Sequence, residues 1–331
     1  MRSVVLAALI AAGCGGRYRN AEPDGPRGVE AAGLPYKIVD ARTGREVVES
    51  EAWLRFANLR AICIGEDHDN PHHHWAQMRI VDELGKRTRL AGSALALGME
   101  MFQWPYQGVL DDYAANKIDE AAMLSRSGWE DRWGFDFAFY RPIITRARNH
   151  GAALRALNPP RELVKKLSRE GMDALTPEER AQLPELVLDD KAHRAWWDAI
   201  MVGMGGAHGH TKRDPEKPTE PPADAAHADP PAPSAERIYA AQVLWDESMA
   251  DGTTDWLGDK PGPRLMIILA GNGHCHDSAV VGRIKRRGVA DAISIVPIID
   301  DGANVAASLA SPINDYLFVM TMPSTSKSKS K

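Results

Sequence analysis

Two distant stretches of this chain share one design, and it limits the folds open to the rest. Ala61-Ile62-Cys63-Ile64 is a short apolar run, partly β-branched, of the kind that forms a buried strand. Gly65 stops it, and Glu66, Asp67 and His68 follow at once. Leu265 to Ala270 is a second apolar run, stopped by Gly271 and followed by Asn272, Gly273 and His274. Each is a strand closed by G-x-x-H. Acidic and imidazole groups thus crowd the C-terminal ends of buried strands, the edge where open α/β sheets bind ligands. Neighbouring strands pointing the same way would bring Glu66, His68 and His274 to one rim.

The remaining pattern agrees with such a sheet. Tyr36–Asp40, Ala94–Met101, Ala152–Leu157, Ala292–Ile299 and Tyr316–Thr321 read as further strands, with a turn at Thr43-Gly44. Helical spacing is expected over Glu49–Leu59, His74–Arg89, Pro105–Asn116, Tyr140–His150, Leu188–Met204, from Ile238 to Met249, and near Ser278–Arg287. Thr176-Pro177-Glu178-Glu179 carries a capping-box signature for one more short helix. Strands alternating with helices predict an α/β fold, a mostly parallel sheet flanked by helices, with a helical lid-like region. With 331 residues, 44% of them hydrophobic, the chain suffices for one large domain or two small ones. Its net charge of -5 lacks the basic block that nucleic acid requires.

The N-terminus reads as a targeting segment. Met1-Arg2 precedes an apolar run from Val4 to Ala12, too short to span a bilayer. Ala11-Ala12-Gly13-Cys14 then resembles a bacterial lipoprotein signal, so residues 1–14 are expected to be the signal and Cys14 the lipidation site. Acyl chains on Cys14 would hold an exported domain on a membrane, at the periplasmic or outer-membrane face. Residues 15–33 read as a flexible tether, and 34–322 as the folded domain. Within it, 205–236 holds seven prolines and reads as a disordered insertion; 323–331 is a solvated Ser/Lys tail. Cys63 and Cys275 each sit beside a G-x-x-H turn. They form either a disulfide or two buried free thiols.

Glu66, His68, Glu100, His274 and His276 form the sharpest chemical constellation. Carboxylate oxygen and imidazole nitrogen suit zinc, manganese or iron, and a bound metal could turn water into a nucleophile. Glu66 or Glu100 could act as general base. The plainer alternative is that Glu66 and His68 only satisfy backbone groups at a crowded turn. His72, His73 and His74 open a helix and are expected to cap it or point to solvent, with one of them facing the rim as the lesser alternative. His208 and His210 fall in a Gly-rich hinge and are expected to be solvated, unless a closing lid brings one in as a ligand. The aromatic group from Trp129 to Tyr140 is expected in the core, although Tyr140 or Tyr113 could face a flat apolar ligand, and tyrosinate can ligate haem iron.

Six segments, in order, carry a family resemblance: IGEDHDN-x3-H (Ile64–His74), ALGMEMF (Ala96–Phe102), YRP-x4-AR (Tyr140–Arg148), ALNPPRE (Ala156–Glu162), Q-x3-D-x2-MA (Gln242–Ala250) and LAGNGH (Leu269–His274). Together they resemble the ChaN family of haem-binding lipoproteins, within the Tiki and erythromycin-esterase superfamily. The resemblance implies haem as cofactor, a homodimer with haems between subunits, and a role in haem or iron uptake. It makes Tyr140 the first candidate for the haem ligand, with His208 and His210 behind it. Hydrolytic relatives use the matching G-E-x-H and G-x-x-H residues, here Glu66, His68, Glu100 and His274. That leaves a metal-dependent hydrolase, esterase- or peptidase-like, as the alternative.

Overall fold

The computed structural model describes residues 34–203 and 233–322. The signal segment, Cys14, the tether, most of the Pro-rich stretch with His208 and His210, and the Ser/Lys tail lie outside the described residues.

Eight strands form one sheet among the described residues: β1 (Tyr36–Asp40), β2 (Arg45–Val47), β3 (Ala61–Ile64), β4 (Ala94–Gln103), β5 (Ala153–Asn158), β6 (Arg264–Leu269), β7 (Ala292–Ile299) and β8 (Tyr316–Met320). Their order is β2-β1-β8-β7-β3-β6-β4-β5. From β8 to β5 every pairing is parallel; only β1 with β2 and β1 with β8 are antiparallel. The fold is α/β.

β3 lies in the middle, between β7 and β6. It buries both faces, which is why it reads as an unbroken apolar run. Side chains alternate. Ile62 and Ile64 join Leu265, Ile267 and Leu269 in a core beneath helices Glu49–Ala57, Pro71–Leu90 and Arg141–Asn149. Ala61 and Cys63 join Met266, Ile268 and Ala270 in a second core under helices Ala235–Gly258 and Val280–Arg286. The helices Arg161–Glu170 and Lys191–Gly203 pack on the Ala235–Gly258 helix in two smaller clusters.

Some elements depart from the sequence expectation. Residues 45–47 add a short edge strand beyond the Thr43-Gly44 turn. Helices Glu120–Ser127, Arg161–Glu170 and Ala303–Ala310 were not anticipated. The first carried a readable signal: Asp119 caps it by accepting from Ala122 N–H, and Gly128 closes it in the left-handed region at φ 67°. Residues 234–236, expected in the Pro-rich stretch, belong to a helix: Ser234 caps the one that begins at Ala235. The capping box at Thr176 forms with both of its hydrogen bonds. No described helix is long and apolar enough to cross a membrane.

Candidate functional site

The two look-alike strands are neighbours and run parallel, with Cys63 opposite Ile268 and Ile64 opposite Leu269. Their terminal turns therefore meet. Asn272 N–H donates to the Glu66 carbonyl at 2.9 Å, and Asn272 Nδ2 donates to Asp67 Oδ1 at 2.9 Å. Gly65 permits that approach: a Cβ there would lie 2.1 Å from Asn272 Oδ1. One layer below the turns, Cys63 and Cys275 are joined in a disulfide. The pairing left open in the sequence is formed.

At the β3 end, Glu66 is fully buried and its carboxylate is enclosed. Oε1 accepts from Tyr140 hydroxyl at 2.7 Å and from His68 Nδ1 at 2.8 Å. Oε2 accepts from Gln77 Nε2 at 2.8 Å and lies 3.6 Å from His74 Nδ1. Burial works against the charge, but His74 and the hydrogen bond from His68 outweigh it and hold the carboxyl down at about 2. Burial likewise disfavours charge on His68, yet its bond to Glu66 and the nearby Glu66, Glu100 and Asp67 charges raise it to about 9. At neutral pH this pair is carboxylate and imidazolium.

His73 and His74 correct the expectation that the helix-opening histidines face solvent; both are buried. Asn70 caps the helix by accepting from His72 and His73 N–H, which turns the helix start over the rim. His74 then places Nδ1 3.1 Å from Gln77 Oε1 and Nε2 3.1 Å from the His68 carbonyl, while His73 Nδ1 accepts from Asp67 N–H.

At the β6 end, Glu100 comes from within β4. Its Oε2 accepts from Gly271 N–H at 2.7 Å, and its Oε1 lies 3.5 Å from His274 Nε2. His274 Nδ1 is 2.7 Å from Asp246 Oδ1. Burial opposes charge on His274, but Glu100 and Asp246 raise its pKa. Asp246 is held well below the carboxylate range: burial opposes this, and Arg283, His193 and His274 overcome it. The halves meet at Gly271, whose missing Cβ leaves His68 Cε1 3.0 Å and Glu100 Oε2 3.8 Å from that point. Of the four rim side chains His68 is the most open, at 16% exposure against 0% for Glu66. Its ring is packed by Trp133 and Phe135.

Two sequence assignments need correction. Glu66, His68, Glu100, His274 and His276 do not assemble as metal ligands, because the acids are already paired to imidazoles and N–H donors. Among the described residues no group of three or more His, Cys, Asp or Glu side chains could hold an ion. His276 points away from the rim and packs on Trp196; burial drives it down to about 3, leaving it neutral. Tyr140 is buried with the aromatic core, and its hydroxyl is committed to Glu66. Burial and the Glu66 charge push its pKa well above 10. His74 and Asp246 stand in the Ile64–His74 and Gln242–Ala250 segments that carry the family resemblance, without a role at the rim; Gln77 and His193 left no signal, because they lie on helices and reach the rim only through tertiary packing.

The fold and site define an α/β protein with a buried acid–imidazole rim at the carboxyl edge of a parallel sheet. Residues 52–284 match the family described as haem-binding uptake, Tiki superfamily, ChaN, and the chain belongs to that family. Its fold is similar to that of ChaN from Campylobacter jejuni, a structure described as showing cofacial heme binding. The TM-score is 0.60 at 15% identity, covering 86% of this chain and 96% of that one. RRSP, a MARTX toxin effector domain from Vibrio vulnificus, is more distant, with a TM-score of 0.37 at 13% identity over 87% of this chain and 41% of that one. Among curated proteins, RETICULATA-RELATED 5, chloroplastic, of Arabidopsis thaliana is 22% identical over 280 residues, 82% of this chain. The chain spans 35% of that relative's length.

Proposed function

We propose that this protein binds haem and serves haem or iron uptake as an exported lipoprotein, tethered through Cys14 and paired as a homodimer. The family match over residues 52–284 carries the reading. Fold agreement with Campylobacter ChaN across nearly all of that protein supports it. The rim itself does not fit an iron ligand. Tyr140 is sealed, and the rim acids and imidazoles are bonded to one another. The ligand is therefore sought away from the rim, with His208 and His210 as the residues to test. Haemin titrated into the purified protein should give a saturable Soret shift that survives Tyr140→Phe and weakens in the His208→Ala/His210→Ala double variant. Absence of a saturable shift in the unaltered protein would overturn the reading.

One observation favours a second reading, a metal-free hydrolase. Two carboxylate–imidazole pairs face each other across Gly271. The Glu100 carboxylate would take a proton from water as the water oxygen bonds to an acyl carbon. His68, protonated at neutral pH, would give its proton to the leaving group as that bond breaks, and the proton on Glu100 would restore it. A panel of activated esters, lactones and peptides tests this. Turnover unaffected by a chelator and abolished in His68→Gln is expected. Turnover that a chelator removes, or none at all, would end this reading.

A further inference from the structure

We infer that Asp246 is a positioning residue for the rim: it fixes the ring of His274 so that Nε2 faces Glu100, and it ties that ring to His193 on a second helix. The inference deepens the hydrolytic reading and takes its purpose from it, while its geometry concerns this chain alone.

Asp246 lies on the Ala235–Gly258 helix and is fully buried. A buried carboxylate contributes little net stability compared with an apolar side chain of similar volume. This one is nonetheless placed between two imidazoles and a guanidinium. Oδ1 lies 2.7 Å from His274 Nδ1, Oδ2 lies 3.0 Å from His193 Nε2, and Arg283 Nη1 stands 3.6 Å from Oδ2. His193, also fully buried, turns its other nitrogen to the Tyr239 hydroxyl at 3.1 Å. Close polar contacts thus line up from Tyr239 through His193, Asp246 and His274 to Glu100, of which His193–Asp246 and His274–Glu100 are ion-pair distances and the others hydrogen bonds.

Two groups compete for His274 Nδ1. Gln242 Nε2 lies 3.1 Å from it and could only donate to a bare nitrogen, whereas Asp246 Oδ1 accepts from a protonated one. The carboxylate prevails for two reasons. A charge-assisted bond is roughly twice as strong as a neutral one. Gln242 Nε2 also has a second acceptor, the Gly273 carbonyl at 3.2 Å. With Nδ1 protonated toward Asp246, Nε2 is the nitrogen that meets Glu100. Trp245 packs edge-on against the same ring and limits its rotation.

Histidine-labelled protein, observed by 15N–1H correlation of the ring nitrogens, tests this without any substrate. The unaltered chain should show a solvent-protected Nδ1–H on His274. Asp246→Asn should abolish it, because the amide oxygen stays with Arg283 and the amide N–H turns toward Nδ1. Gln242→Leu should leave it in place. His193→Gln should keep the signal but speed its exchange with water. An Nδ1–H that persists in Asp246→Asn, or that disappears only in Gln242→Leu, overturns the assignment. Failure to find any hydrolytic turnover would sink the reaction while leaving these spectra unchanged, so the two failures are distinct.

Discussion

At the β3 end, His68 takes its carboxylate from two residues upstream; at the β6 end, His274 takes its carboxylates from β4 and from the Ala235–Gly258 helix. Both ends use a strand closed by G-x-x-H, yet one histidine is paired locally and the other by tertiary structure. The first pair exists wherever the turn forms. The second exists only after three elements have docked. One sequence device thus yields two imidazoles with different dependence on the rest of the fold.

Breaking the enclosed acid should have the largest effect. Glu66→Gln leaves His68 and His74 buried without their counter-charge, and urea unfolding at pH 7 should show a loss of about 3–5 kcal/mol. Glu100→Gln, which keeps a hydrogen-bonding side chain beside Gly271 N–H, should cost only about 1–2 kcal/mol. An equal or larger cost for Glu100→Gln would remove the distinction between the halves.

Next comes the pH profile. His68 is raised on folding, so its contribution is full below its ordinary value of 6.5 and fades as pH rises through about 9. Stability should fall by roughly 2–3 kcal/mol across that window, and His68→Gln should remove most of the fall. Glu66 is lowered on folding, so its contribution is present above 4.5 and fades as pH drops toward about 2. Both effects report the same ion pair and are counted once. An alkaline limb unchanged in His68→Gln would place the charge elsewhere.

The glycines test how closely the two turns approach each other. Gly65→Ala puts a methyl 2.1 Å from Asn272 Oδ1 and should lower stability by about 1–3 kcal/mol. Gly271→Ala meets the edge of the His68 ring, Cε1 at 3.0 Å and Nε2 at 3.3 Å, and a side chain can yield, so it should cost about 1 kcal/mol or less while displacing that ring. Equal melting temperatures for the two variants would contradict this ranking.

The same contrast explains what could be read from the sequence. β3, β7 and the Glu66-x-His68 turn were legible because apolar runs and turn residues are local signals. The meeting of His68 with His274 followed from parallel neighbours, a rule of topology. His193 was not legible, and Asp246 stood only as one letter of the Gln242–Ala250 segment without a role, because each sits in a helical pattern where a buried charge looks like a solvated one until its partners arrive. His74 misled for the same reason: nothing local shows that Asn70 turns the helix start over the rim. The edge strand at 45–47 was hidden by its brevity, since three residues carry no periodicity.

The bond between Cys63 and Cys275 encloses a sequence separation of 212 residues. Closing a loop that long restricts the denatured chain by about 5 kcal/mol. It also imposes an order on biogenesis. β3 is made before either of its neighbours, since both of them and its sulfur partner are encoded after residue 263. The nascent chain must therefore keep an apolar segment and a thiol unclaimed until some two hundred further residues have been made, and a cell that forms this bond must do so after Cys275 has been synthesised.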